Sequence, residues 1–442
     1  YGWIKDTLVF GSELKAIRAY PGFDARIDRR ALTLFLRHNC VPAPWSIYEN
    51  IWKLPPGCFV RFDARNLAGE RNTPGHVQAY WSARTVAEAG MRDPFPGNEE
   101  EATEELIRLI GQSLAGQRIA DVPLGAFLSG GIDSSTVVAL LQAQSTIPVR
   151  TFTIGFHEDD FNEAEQAHDV ARHLGTDHTE LYVTAEEARS VIPKLPAIYD
   201  EPFADSSQIP TYLVARLARR HVTVALSGDG GDELFGGYNR YFWVTRLWQW
   251  MAWVPRRFKS RLAGAILAVP PLAWNRFFSF LHAALPDGWR YGNPGDKLHK
   301  LAGLLDANRP EEVYHRLVSH WHDPARLVLE AAEPVTVLTE KSLWLDSPDL
   351  VKRMMYLDLV TYLPDDILVK VDRASMAVSL ETRIPLLDHR IVEFAWSLPI
   401  AMKVRNGTGK RLLRRVLHRY VPSDLIERPK MGFGIPLDEW LR

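Results

Sequence analysis

Short apolar runs alternate with segments of helical period between Pro123 and Leu226. PLGAFL leads into IDSSTVVALLQAQ, and VRTFTIGF leads into EAEQAHDVARHLG. TELYV follows, then the helical IPTYLVARLARRH and the run VTVAL. Apolar runs of this length suit strands buried on both faces, and their alternation with helices predicts a parallel sheet covered on two sides. Upstream, EEATEELIRLIGQSLAGQRI places Leu106, Ile107, Ile110 and Leu114 on one helical face. After Tyr238 the strand signal fades, and the remainder to Arg442 reads mostly helical.

Residues 1–82 read as strand, short helix, helix and strand: DTLVF, SELKAI, DRRALTLFLRH, and CFVRFD after the turn PPG. Residues 83–100 are polar, hold Pro and Gly and carry no period, so they read as a linker. The expected division is therefore 1–82, a linker 83–100, and 101–442. The chain opens on Tyr1 and runs at once into TLVF, which reads as a fragment whose start lies upstream.

Composition narrows the classes. A chain of 442 residues exceeds one ordinary core. The net charge of −2 gives no footprint for nucleic acid. Two cysteines, Cys40 and Cys58, exclude a disulfide framework, and no leader pattern opens the chain, so a reducing, cytoplasmic setting is expected. The histidines are scattered, and no Cys/His cluster has zinc spacing. The most apolar long region, Leu262–Leu285, is interrupted by Pro270, Pro271, Asn275 and Arg276, which predicts a helical pair rather than a membrane span.

In an open α/β sheet, ligands bind beyond the carboxyl ends of the strands. Two glycine-rich turns follow predicted strands here, LSGGIDSS at Leu128–Ser135 and LSGDGGDELFGGY at Leu226–Tyr238. The first opens directly into a helix, so its backbone N–H groups and the helix dipole favour an anion. Ser129, Ser134 and Ser135 add donors. No lysine follows the glycines, so the turn is not a P-loop. Asp133 reads either as a first-turn carboxylate suited to the dipole, or as one of the one or two carboxylates by which Mg2+ is held beside phosphates. The second turn adds Asp229, Asp232 and Glu233. Two turns rich in acid and glycine at strand ends favour the metal reading.

SGGIDSS resembles the pyrophosphate-binding signature of ATP pyrophosphatases. Together with TFTIGF, LGTDH, DEPFADSSQIPTY, LSGDGGDELFGGY, DRASMAVSLETRIPLLD and RPKMGFGIP, in order from about Leu124 to Pro436, it resembles the synthetase domain of glutamine-hydrolysing asparagine synthetases. SGG-x-DS alone leaves argininosuccinate synthetases, GMP synthetases and tRNA-modifying enzymes open. FGSELKAI and YENIWKLPPG resemble the end of that family's N-terminal glutaminase domain. The implied fold is an α/β ATP pyrophosphatase domain with a parallel sheet and a helical C-terminal part. A remnant of an α+β N-terminal-nucleophile glutaminase domain precedes it.

The resemblance implies a two-step reaction. The aspartate side-chain carboxylate attacks the α-phosphorus of ATP, giving β-aspartyl-AMP and pyrophosphate, and ammonia from glutamine then attacks the acyl-adenylate. It implies ATP and Mg2+ as cofactors and small-molecule substrates as partners, and it leaves a homodimer open. Ser129, Gly130, Gly131, Asp133 and Ser134 would hold the β and γ phosphates, and Asp133 and Asp232 would share Mg2+. Leu128, Ile154, Ser227 and Gly228 would contact the adenosine end, although strand-end core is the plain reading of Leu128 and Ile154. Asp229 stands where the family carries a glutamate tied to acyl-adenylate formation, and is one methylene shorter. Lys430 would offset charge near the α-phosphate. Arg383 falls in a motif the family places near the site, with an ion pair to Glu381 or Asp388 as the competing reading. The glutaminase nucleophile is the cysteine exposed as the mature first residue. Neither Cys40 nor Cys58 suits that role, so the resemblance implies that most of the glutaminase half is missing from this chain.

The same chemistry on another carboxylate, such as a uronic acid of a polysaccharide, is the alternative. A tRNA-modifying enzyme would need a basic groove and a cysteine pair, and a regulator without turnover would not need Asp133, Asp232, Glu233 and Lys430 together. KRLLRRVLHR at Lys410–Arg419 has leucines at helical spacing and reads as an amphipathic surface helix rather than a nucleic-acid contact. FWVTRLWQWMAW at Phe242–Trp253 reads first as a helix packed on the core, and second as a membrane-surface or glycan-facing feature.

Overall fold

The computed structural model describes residues 1–63, 69, 72–156, 162–280, 294–305, 307, 309–427 and 440. The first 82 residues contain two small antiparallel pairs. β1 (Gly2–Ile4) pairs with β2 (Thr7–Val9), and β3 (Cys58–Arg61) pairs with β4 (His76–Ala79). A small core of Ile4, Val9, Ile17, Val41, Ile47 and Ile51 takes in the first of these pairs. The predicted helix is Arg29–His38, capped by the Asp28 carboxylate, which accepts from Arg30 N–H at 2.9 Å.

The larger part is built on β5 (Leu124–Phe127), β6 (Arg150–Phe156), β7 (Asp177–Val183), β8 (Val224–Leu226) and β9 (Glu381–Arg383). All are parallel, in the order β7-β6-β5-β8-β9. Successive side chains on a strand face opposite sides. Ala126 and Leu128 accordingly enter one core, with the helices Glu99–Gln117 and Ile132–Ala143. Phe127 packs against the other, with Phe152, Ile154 and Leu213. The predicted α/β fold and its helical C-terminal part are both present.

Two elements depart from the sequence reading. β9 lies in the stretch expected to be helical, as the tripeptide Glu-Thr-Arg. It holds its place through the register Val224↔Glu381 to Leu226↔Arg383, and the Arg383 carbonyl accepts from Ser227 N–H at 2.8 Å. Residues Ala83–Arg92 of the expected linker form a helix capped by the Ser82 hydroxyl. That helix packs on His389–Ser397, where Gly90 lies against the Trp396 backbone so closely that a Cβ would sit 2.6 Å from it.

The two parts meet through hydrogen bonds from backbone N–H groups to carboxylates. Lys15 N–H donates to Asp200 at 2.8 Å, Ala43 N–H to Asp365 at 3.0 Å, and Ile47 N–H to Glu201 at 3.1 Å. No described helix is long and apolar enough to cross a membrane.

Candidate active site

Strand order reverses between β5 and β8: β6 and β7 extend to one side of β5, while β8 and β9 extend to the other. Open α/β sheets bind ligands at such a point, beyond the carboxyl ends of the strands. Both glycine-rich turns leave from there.

The first turn is organised around one hydroxyl. Ser134 Oγ accepts from Ser129 N–H at 3.2 Å and lies 3.0 Å from Ser129 Oγ. Gly131 N–H donates to Ser129 Oγ at 3.3 Å. Gly130 has φ +74°, a conformation that side chains disfavour, and a Cβ there would meet Ala167 N at 2.9 Å. Gly131 caps the helix Ile132–Ala143, and Asp133 sits in that helix's first turn.

The second turn lies directly on the first. A Cβ on Gly228 would stand 2.6 Å from Ser134 N, so only glycine permits this approach. Ser227 is buried, and its hydroxyl donates to Asp229 Oδ2 at 2.6 Å. Burial pushes the Asp229 carboxyl up from its ordinary value, against the Ser227 hydrogen bond. Glu233 is buried too. Burial and the neighbouring Asp232 push it up to about 8, against a 2.5 Å hydrogen bond from the Tyr238 hydroxyl. Asp232 sits in the first turn of the short helix Gly231–Phe235.

The lysine missing from the first turn arrives from elsewhere in the chain. Lys410 is buried, and its ammonium meets both Asp133 Oδ2 and Asp232 Oδ1, the latter at 2.8 Å. Burial opposes its charge, but the two carboxylates outweigh burial and hold its pKa above the ordinary lysine value. Its backbone is left-handed at φ 56°, costly for a lysine, and its N–H donates to the Phe235 carbonyl at 2.9 Å. The run Lys410–Arg419 does form the expected amphipathic helix, with Leu412, Leu413 and Leu417 buried. The sequence reads this run as a surface helix rather than a nucleic-acid contact, and neither reading gives its first residue a place in the site. The available signal was Gly-Thr-Gly-Lys immediately before a helix.

The structure thus brings Ser129, Gly130, Gly131, Asp133, Ser134, Ser227, Gly228, Asp229 and Asp232 together on two touching turns. Leu128 and Ile154 are buried in the cores on the two faces of the sheet. The Arg383 guanidinium turns to the Gln117 and Ile119 carbonyls, at 2.5 and 2.8 Å, and to Glu381 at 2.7 Å. Lys430 lies outside the described residues. Cys40 is buried with its thiol pushed well up by burial, and Cys58 is half-buried. A separate cavity of about 340 Å³ lies where the two parts meet, lined by His38, Cys40, Asp205, Tyr362 and Asp366 among others.

Two mutually packed glycine turns with facing carboxylates lie at the reversal point of a parallel sheet, in an α/β domain of the ATP pyrophosphatase-like fold. Residues 105–442 match the asparagine synthase family, and residues 1–81 match the glutamine amidotransferase domain. This chain belongs to the asparagine synthase family. A Mycobacterium tuberculosis protein, provisionally named a glutamine-hydrolyzing asparagine synthetase, is 34% identical over 95% of this chain and 60% of its own length. Asparagine synthetase (glutamine-hydrolyzing) 1 of Bacillus subtilis is 33% identical over all of this chain and 64% of its own. The human asparagine synthetase is 25% identical over 77% of this chain and 44% of its own. The chain thus spans about 60% of the length of the first curated relatives it matches.

Proposed function

We propose that this chain activates a carboxylate with ATP, as an acyl-adenylate with loss of pyrophosphate, and passes it to ammonia to give an amide. Aspartate is the acceptor we favour, because the curated relatives carry the asparagine synthetase name. One observation carries the reading: two carboxylates and one buried ammonium converge at the reversal point of the sheet, beside a serine-lined helix N-terminus.

Asp133 and Asp232 fit a shared Mg2+. Both already converge on one cationic point, and Mg2+ takes only one or two carboxylates when phosphate oxygens complete its shell. When bound, Mg2+ neutralises charge on the departing pyrophosphate.

The protein groups position and polarise. Ser129, Gly130, Gly131, Asp133 and Ser134 are assigned to the β and γ phosphates at the helix N-terminus, with the Ser129 and Gly131 N–H groups shaping the turn through the Ser134 and Ser129 hydroxyls. Lys410 offers a second, fixed positive charge to the same oxygens. Leu128, Ile154, Ser227 and Gly228 are assigned to the adenosine end, and Lys430 to the α-phosphate. Arg383 acts through the backbone, because its carbonyl receives Ser227 N–H and so helps set the second turn. Asp229 is assigned to acyl-adenylate formation, with a reach one methylene shorter than the family's glutamate and its carboxylate held by the Ser227 hydroxyl. The test is a screen of carboxylic acids for pyrophosphate release with ATP and ammonia. Stimulation by aspartate supports this reading, and stimulation only by a uronic acid assigns the same chemistry to a saccharide.

A further inference from the structure

The helix Asn239–Trp253 continues directly from the second turn and has two unlike faces. Tyr241, Val244 and Met251 are buried, and Leu247 and Trp248 pack on the same core. Trp243, Trp250 and Trp253 recur on the opposite face at helical spacing and are 63%, 49% and 89% exposed. Packing therefore absorbs only one side of the tryptophan run. The next two helices continue the pattern. Arg256–Leu267 buries Ala263 and Ile266 but exposes Phe258, at 68%, and Leu262 one turn on. Pro271–Phe280 exposes Leu272, at 74%, and Phe277. Single exposed apolar residues are ordinary, but a succession on three consecutive helices marks an interaction surface.

The charge of the segment selects the partner. Residues 239–280 hold seven of the chain's 52 lysines and arginines and none of its 54 aspartates and glutamates. Arg246, Arg257, Arg261 and Arg276 are exposed. Helices that rest in the headgroup layer of an anionic bilayer have this make-up. Tryptophan sits at headgroup depth, leucine and phenylalanine enter the acyl boundary, and arginine stems reach back to the phosphates. A second copy meeting the first through this face would set these four exposed arginines against their own counterparts, with no carboxylate of the segment between them, so self-association is disfavoured.

We propose that this three-helix face docks the protein peripherally on an anionic phospholipid bilayer. The 15 residues of Asn239–Trp253 span about 22 Å, so the nucleotide turn would work within about one helix length of the membrane surface. The proposal is independent of which acid is amidated.

The whole chain is floated with vesicles of phosphatidylcholine alone, or with one-third phosphatidylglycerol. The expected result is about tenfold more protein on the anionic vesicles, with a blue shift of tryptophan emission, reversed in about 0.5 M salt. The triple variant Arg257→Glu, Lys259→Glu, Arg261→Glu should lose that binding while keeping the wild-type melting temperature and vesicle-free turnover. Equal flotation on both vesicle types, or none on either, overturns the proposal, and neither result depends on a variant folding. It is also overturned if Trp250→Ser with Trp253→Ser turns a dimer into a monomer while the wild type ignores anionic vesicles.

Discussion

Lys410 Nζ lies 2.8 Å from Asp232 Oδ1, inside the fold and between two turns that belong to different strands. The same ammonium meets Asp133, so one cation holds together the two carboxylates assigned to the metal. Removing it takes the ammonium from two half-buried carboxylates, a loss below the roughly 3–5 kcal/mol of a fully buried pair. Lys410→Met should therefore lower the melting temperature and cut pyrophosphate release about 100-fold or more. Mg2+ should raise the melting temperature more in this variant than in the wild type, because it replaces the missing charge. Equal shifts in both would separate Lys410 from the metal site.

Asp133→Asn and Asp232→Asn remove one charge each without changing side-chain size. Each should weaken the Mg2+ dependence of ATP turnover and reduce the rate by about 100-fold or more. The double variant should be little worse than either single, because the carboxylates act as a unit. Losses that multiply in full, measured as a double-mutant cycle on pyrophosphate release, would assign the two residues to separate tasks.

Asp229 has one strong partner in the Ser227 hydroxyl, at 2.6 Å. Ser227→Ala should push the Asp229 carboxyl up further and cost about 1–3 kcal/mol, since a buried acceptor loses its donor. Asp229→Glu restores the side chain usual in the family but pushes the carboxylate one methylene past the Ser227 hydroxyl that holds it, at about 1–3 kcal/mol. A denaturant midpoint for Asp229→Glu equal to that of the wild type would mean that the longer acid keeps the Ser227 hydrogen bond.

Asp365 ties the two parts by accepting Ala43 N–H, and burial pushes its carboxyl from 3.8 up to about 7. A raised carboxyl pKa favours the protonated folded state, so this group's stability is greatest below pH 3.8 and is lost as pH rises towards 7. Asp365→Asn keeps an acceptor for Ala43 and cannot ionise. It should gain a few kcal/mol over the wild type at pH 8 and almost nothing at pH 4, read from denaturant midpoints. A pH-independent difference would contradict the assignment.

The sheet and both turns were legible because the strands are apolar runs that end in glycine and acid, a local pattern with a local cause. β9 was not, because Glu381, Thr382 and Arg383 become a strand only through their register with Val224–Leu226. The helix Ala83–Arg92 was hidden by Gly90, which reads as a breaker and serves instead to admit the Trp396 backbone. Lys410 reaches Asp133 across 277 residues, a contact that no periodicity records. The tryptophan run was half legible: spacing shows a helix with two faces, but only the fold separates the face that packs from the face left in solvent.

The most direct test of carboxylate adenylation supplies ammonia itself, together with ATP, Mg2+ and aspartate labelled with 18O in the side-chain carboxylate. Attack of that carboxylate on the α-phosphorus, followed by ammonia at the acyl carbon, leaves one labelled oxygen on AMP and an amide on aspartate. The account predicts labelled AMP, pyrophosphate and asparagine in equal amounts. Formation of ADP and phosphate, or of AMP without label, would contradict it.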